Sequence, residues 1–528
     1  MVTLKDSKMI SLAAVSEVLP MRLVLGLLAG LVLACLPTAA LGHAKLDLSQ
    51  PKANETVSAA PKLVELWFSE ALESGLNTIE VKDQTGKRVD RGEVALADGN
   101  KKAQVELGDL SPGIYTVVWK ALSADQHAMR GSFTFTFTAP SPASGTVTPS
   151  ADQSPTNAEV GAAHSEEQMP LVSGAEDSTD SIRWGQTLVR WVSYISMMLL
   201  FGGFAFRSLV LIPALRRALD GAERTEAGRA GVGRILRLLW LGVILLAVTS
   251  VVALGLQASD VFDKSLADSL SPGVLAQVLA TGYGPSWILQ VGSLTAVAVI
   301  LVLLTRDLKR HPEGEQTVLW WAGLVAGAAL LVAPSWTGHA MVSVKHFRLA
   351  VLSDWLHLLA GGFWVGGLFH LALAWPAVFS KVSVHNRPSA LHHMIRSFTR
   401  TAMPSVALLV LAGLYNTWAH VPGLKALWLT EYGQALSVKL LLVLLMLLLG
   451  AINNYHFGKR AARLAKKKEI SATDSGAPIE RSFYRSVAFE ASLGLVVLLV
   501  TAVLVFLTPA RNHPAMDNAR SAEGASQR

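Results

Sequence analysis

The sequence predicts an all-β sandwich followed by an α-helical membrane bundle of about eight transmembrane helices. Three observations carry that expectation. The stretch "GSFTFTFT" alternates Phe133, Phe135 and Phe137 with threonine, a period of two with one buried face. Beyond Ile182 the chain holds about eight apolar stretches long enough to cross a bilayer. The composition, 51% hydrophobic but 16% charged with mean hydropathy +0.40, is too apolar for a soluble protein and describes two kinds of segment in 528 residues.

The N-terminal run "MRLVLGLLAGLVLACLPTAALG" reads as a secretory signal. Arg22 supplies the basic start, residues 23–36 the apolar core, and Ala40 and Gly42 the small residues at −3 and −1 of a cut. Residues 1–42 are therefore expected to be a signal peptide, with Met21 a candidate true start. Cleavage after Gly42 leaves His43 as the first mature residue with a free α-amine. A retained anchor or a lipoprotein-type site at Cys35 is the alternative, and the latter leaves His43 internal. Cys35 is the single cysteine, so the mature chain has no disulfide and no thiolate ligand; any metal is held by nitrogen, oxygen or thioether groups.

Residues 43–139 form the expected sandwich. "KLVELWFSE", "NTIEVKD", "KAQVELG" and "GIYTVVWKAL" are short strands separated by the turn signals "QTGK", "ADGN" and "LSPG", and about seven strands in this length suit two packed sheets. Residues 140–183, rich in Pro, Ser, Thr, Ala and Glu, lack periodicity and read as a flexible, mildly acidic linker. Residues 184–508 hold the spans, at approximately 186–212, 235–258, 285–304, 317–336, 348–372, 402–420, 434–456 and 487–507. Residues 509–528 form a tail. If the sandwich is exported, the first span runs inward, and the loops then assigned inside carry roughly 21 Lys and Arg against roughly 4 outside, as the positive-inside rule requires. The sandwich and the C-terminus are then extracytoplasmic. The net charge of +7 sits in these short loops rather than in one stripe, which argues for membrane orientation and against nucleic-acid binding.

"SADQHAMRG" places Asp125 and His127 two residues apart. On an extended strand both side chains leave one face, about 7 Å apart at Cα. A processed His43 adds its α-amine and ring nitrogen, and three nitrogens with one carboxylate in a square suit Cu(II) among the common divalent ions. The α-amine, with an ordinary pKa of about 7.7–8.0, yields its proton to a metal at neutral pH. Read alone, a D-x-H pair is more often an ordinary surface pair than a ligand set.

The residues also carry a family resemblance. "HAKLDLSQPKANETV", "PKLVELWFSEAL" and "LSPGIYTVVWKALSADQHAMRGSFTFTF" resemble the periplasmic copper-binding CopC family over the whole sandwich. "TGYGPSW", "TGHA", "SDWLHLLAGGFWVGGL", "RSFTRTAMPSVALLVLAGLYNTW" and "TEYGQALSVKLLLV" resemble, in order, its membrane partner family CopD. The resemblance implies a seven-stranded Greek-key sandwich, a bacterial inner-membrane location, and copper uptake or resistance. It implies Cu(II) binding by His43, Asp125 and His127, with periplasmic copper chaperones as candidate partners. The methionine-rich Cu(I) loop of some CopC proteins is absent, Met129 being the one methionine in the sandwich.

Ionisable residues at membrane depth are expensive and mark pathways. His339, with Met341 beside it, ends the fourth span; Asp354 and His357 lie one turn apart on one face of the fifth. A thioether beside imidazoles suits Cu(I). The plainer reading of each is a histidine hydrogen-bonded within a bundle and an interfacial acid. The small residues of "GGFWVGG" let helices approach closely. Lys439 is expected to snorkel to the headgroups and Trp191, Trp287, Trp336 and Trp418 to form interfacial belts. No phosphate-cradling motif and no transmembrane cysteine pair occurs, so ATP does not drive this chain, and no enzymatic activity is expected. The leading reading is copper capture by the exported domain and transfer to the bundle, for import or for homeostasis and resistance. A bis-His haem electron carrier, pairing His357 with His339 or His420, and a copper monooxygenase are the alternatives.

Overall fold

The computed structural model describes residues 46–123, 128–139, 176–310, 317–337, 347–465, 477–507 and 510. They fall into two compact units divided between Arg183 and Trp184. The first is a sandwich of β1 (Leu46–Gln50), β2 (Thr56–Val57), β3 (Leu63–Phe68), β4 (Thr78–Lys82), β5 (Asp90–Ala97), β6 (Lys102–Leu107), β7 (Gly113–Leu122) and β8 (Ala128–Phe137). Two four-stranded sheets, ordered β1-β3-β6-β5 and β2-β8-β7-β4, face each other across one apolar core. Each of the five strands quoted from the sequence is present. β3 alternates half-buried and buried residues, sending Val64, Leu66 and Phe68 inward, and β8 sends in Phe133, Phe135 and Phe137 as its period of two requires. β1, β2, β4 and β5 are the sheet edges, and β1, β2 and β5 bury at most one residue each. β4 keeps its alternation because Ile79 and Val81 reach the core, whereas β1, β2 and β5 send almost nothing inward, which is why the sequence marks them weakly.

In the second unit eight helices are long and apolar enough to cross a membrane: α1 (Trp184–Ala218), α2 (Gly221–Phe262), α3 (Tyr283–Arg310), α4 (Val318–Trp336), α5 (Arg348–Phe379), α6 (Arg387–His420), α7 (Glu431–Ala465) and α8 (Ile479–Leu504). The helical backbone leading into α1 begins at Glu176, inside the segment expected to be linker. The helices share one apolar core in which α1 and α5 are the most enclosed. Their approach depends on glycine. A Cβ on Gly202 would stand 2.5 Å from the Gly366 backbone, and a Cβ on Gly366 would strike the Met198 carbonyl. A Cβ on Gly362 would lie 2.5 Å from the Phe201 ring. The "GGFWVGG" stretch is thus a packing surface, as small residues at membrane interfaces are.

Three helices contain π-helical turns: Phe206–Leu211 in α1, Gly362–Gly366 in α5 and Asn453–Phe457 in α7. Such single-turn insertions shift side-chain register and concentrate at functional sites.

Candidate functional site

His43, Asp125 and His127 lie outside the described residues, as do His339 and Met341. The frame around the first three is described. β7 and β8 pair up to Leu122 and Ala128, so Asp125 and His127 belong to the connection that joins them. β1 begins three residues after His43, with Leu46 opposite Phe68 at the end of β3. The Phe68 ring meets Trp119 of β7 edge-on at 5.3 Å. Just beyond, buried Glu70 accepts a hydrogen bond from Ser123 Oγ at 3.2 Å. The start of β1, the end of β3, the end of β7 and the start of β8 therefore lie at one end of the sandwich. Glu70 is a buried carboxylate at that end which sequence reasoning missed. Its only signal is an acid directly after an inward-alternating strand.

In the helical unit Asp354 and His357 share one face of α5. Ser353 beside them donates to Asn416 Oδ1 of α6 at 2.9 Å, holding this turn of α5 against α6. The Leu409 carbonyl of α6 accepts a ring N–H of His357. His357 Nδ1 is enclosed and has no hydrogen-bond partner, with the Cβ position of Gly413 3.7 Å away. An imidazole with one N–H so engaged keeps the other nitrogen's lone pair bare, the form in which histidine binds a metal.

Asp354 is surrounded by polar groups from four other helices. The Ser335 hydroxyl of α4 lies beside it but outside good hydrogen-bond geometry. Lys439 of α7 and His420 of α6 act on it electrostatically, and Tyr194 of α1 and Tyr432 of α7 feel its charge. His420 donates from Nδ1 to the Asn416 carbonyl at 2.7 Å, and its ring lies 6.3 Å from Tyr432. Lys439 acts on His357 as well. Lys439, expected to snorkel to the headgroups, is half-buried, and its charge also acts within the bundle, on Asp354 and His357. Trp191 and Trp287 are likewise more than belt residues. Their indole N–H groups donate to the Leu495 carbonyl at 2.9 Å and the Ser250 carbonyl at 3.0 Å, each on another helix.

Among the described residues no group of three or more His, Cys, Asp or Glu side chains is gathered in metal-binding proximity. The Asp354–His357 pair is a few-ligand arrangement rather than a closed cage.

Known proteins match along this chain in three stretches. A family model described as the CopC domain matches residues 46–138. The copper resistance protein D-like N-terminal domain matches residues 178–347, and copper resistance protein D matches residues 392–504. The chain is a CopC–CopD fusion. Over 495 residues the fusion is 28% identical to the copper transport protein CutJ of Bacillus subtilis, covering 92% of this chain and 77% of the relative. Its CopC part is 34% identical over 103 residues to copper resistance protein C of Xanthomonas campestris pv. juglandis, covering 18% of this chain and 80% of the relative. The crystal structure of CopC from Methylosinus trichosporium OB3b aligns with 32% identity and a TM-score of 0.18, covering 19% of this chain and 98% of that one. In the CopC–CopD fusion α5, with Asp354 and His357, falls between the two CopD matches.

Proposed function

We propose that this CopC–CopD fusion moves copper across a bacterial inner membrane: the sandwich captures Cu(II) outside and passes copper to the helical unit, which carries it through for import or homeostasis. Both halves belong to copper-handling families, and the chain is a multi-pass membrane protein. In this reading processed His43 supplies its amine and ring nitrogen, and Asp125 and His127 complete a tetragonal site. The start of β1, the end of β7 and the start of β8, the strand ends that flank these three residues in sequence, lie at one end of the sandwich, which supports bringing them together. Buried Glu70, at the same end of the sandwich, is in this reading the carboxylate that orients a ligand from behind.

The observation that carries membrane passage is the bare, enclosed Nδ1 of His357 one turn from Asp354. Copper leaving His339 and Met341 would meet Asp354, whose charge attracts a cation, and then His357 Nδ1. Lys439 keeps Asp354 balanced when no ion is present and gives way when one arrives. Passage requires each stop to release what it binds, which favours sites of few ligands. The oxidation state in the bundle is Cu(I) in this reading, suited to imidazole and thioether donors.

Copper accumulation in right-side-out and inside-out vesicles tests the proposal. His357→Ala is expected to lower copper movement at least tenfold while the protein inserts at parental level and the sandwich still binds Cu(II). His339→Ala is expected to act the same way less completely. Parental rates in a normally inserted His357→Ala would make His357 structural and sink this route.

A further inference from the structure

A second polar cluster, which copper passage does not use, lies where α8 meets the π-helical turns of α5 and α7. Glu490 of α8 is 2% exposed. Its Oε2 accepts a hydrogen bond from Asn453 Nδ2 at 3.0 Å, and Asn453 is the first residue of the α7 π-turn. The indole N–H of Trp364, inside the α5 π-turn, donates to the same carboxyl group. Its other oxygen, Oε1, faces Gly450, where a Cβ would stand 3.3 Å away. Asn453 is itself 6% exposed, and its Oδ1 is enclosed without a hydrogen-bond partner.

The ionisable groups on the same helices have other engagements. On α7, His456 and Lys459 are exposed, and Lys459 sits 3.8 Å over the Tyr455 ring. On α8, Tyr484 and Arg485 are exposed, while Glu480 pairs with Arg387 at 3.6 Å. On α5, His370 Nε2 donates to the Leu199 carbonyl at 2.8 Å. No charged group acts on Glu490 among the described residues.

The kind of ligand follows from the donor set. Two N–H groups already point at the carboxylate, and Asn453 Oδ1 is the one enclosed oxygen of the cluster without a hydrogen-bond partner. A carboxylate already holding two N–H donors and one amide oxygen together fall well short of the six or more oxygens that a hard cation takes, and no nitrogen or sulfur lone pair is offered to copper. A proton needs one oxygen to bind. Burial without a countercharge favours the neutral acid, while the two N–H donors stabilise the anion, so neither form is locked in. We propose that Glu490 binds and releases one proton per transport cycle, coupling copper movement to the proton gradient. Only an O–H bond forms and breaks. The two π-turns, each a local irregularity in its helix, are where the bundle can shift as the carboxyl changes charge.

The coupling rests on the transport reading; the proton site does not. Infrared titration of the purified full chain in lipid is expected to show a protonated-carboxyl band that vanishes as pH rises. That band should be missing from Glu490→Gln and moved in Glu490→Asp. A band that neither substitution alters, or the lack of any titrating carboxyl band, overturns the proton site. In copper-loaded proteoliposomes an imposed proton gradient is expected to change the parental flux severalfold and to leave the Glu490→Gln flux unaltered. Equal stimulation of both overturns the coupling. If the parent moves no copper at all, the transport reading fails, and the infrared result still decides Glu490.

Discussion

Asp90, at the start of β5, ties the two sheets of the sandwich by charge. Its side chain is fully buried and accepts from the Val81 N–H of the opposite sheet at 2.8 Å, from Gly92 N–H at 2.9 Å, and from Arg88 Nε at 2.8 and 2.9 Å. Burial works to raise this carboxyl, but the Arg88 hydrogen bonds, the two backbone N–H groups and the Arg88 charge outweigh it and hold it below the ordinary value. A group depressed in the folded state stabilises fully above its unfolded pKa, about 3.9, and loses that contribution as pH falls through the folded value. Asp90→Asn is expected to cost about 1–3 kcal/mol at neutral pH. Thermal melts of the sandwich should show the gap between parent and variant narrowing below about pH 4. A gap that ignores pH would remove charge as the cause. The proposed copper site is open to an equally local test. One residue added ahead of His43 blocks the chelating amine, and His127→Ala removes a ring ligand. Each should weaken Cu(II) binding by at least the 10–100-fold typical of losing a supporting group behind a ligand, and alter the electron paramagnetic resonance spectrum. Unchanged spectra in both would place copper elsewhere.

Among the elements, the α1–α5 contact carries the densest constraint. Helices in lipid gain nothing from apolar association alone, since the acyl chains are as apolar as leucine; close packing supplies the attraction. Gly202 and Gly366 let the two backbones touch, and no side chain can be added at either without moving a helix. Gly366→Val is expected to cost at least about 1–3 kcal/mol, by the overpacking penalty. It should lower the thermal midpoint of the detergent-purified protein by several degrees. Gly292→Ala, on α3 with open space around its Cβ position, serves as the control and should melt like the parent. Equal melting of Gly366→Val and the parent would mean that α1 and α5 can separate freely.

For the whole molecule, the distribution of Lys and Arg argues for an extracytoplasmic sandwich, linker and C-terminus. The chain has one cysteine, Cys35, in the proposed leader, so replacing it with serine gives a clean background for single-cysteine labelling. Ser271→Cys, between α2 and α3, is expected to react with an impermeant maleimide in right-side-out vesicles. Ser380→Cys, between α5 and α6, should react only after the membrane is opened. Both wild-type serines are exposed. The reverse labelling pattern would invert the topology and with it the assigned direction of copper entry.

The existence and kind of each main element were readable from the sequence alone, because burial of one face imposes a period of two on the inner strands and bilayer thickness imposes length on the spans. β3, β4, β6, β7 and β8 and the eight spans were legible for that reason, whereas β1, β2 and β5, which bury almost nothing, were not. The candidate residues His43, Asp125, His127, Asp354 and His357 were legible as ionisable or ligating groups in suggestive spacing. The electrostatic reach of Lys439 to Asp354 and His357, the pinning of Trp191 and Trp287 to neighbouring carbonyls, and the meeting of Glu490, Asn453 and Trp364 were decided only in the tertiary structure. Asn453 and Glu490 lie 37 residues apart on separate helices. Hydropathy states that a helix sits in the membrane. It does not state which face meets lipid and which meets another helix, because both surroundings are apolar and only contacts between helices tell them apart.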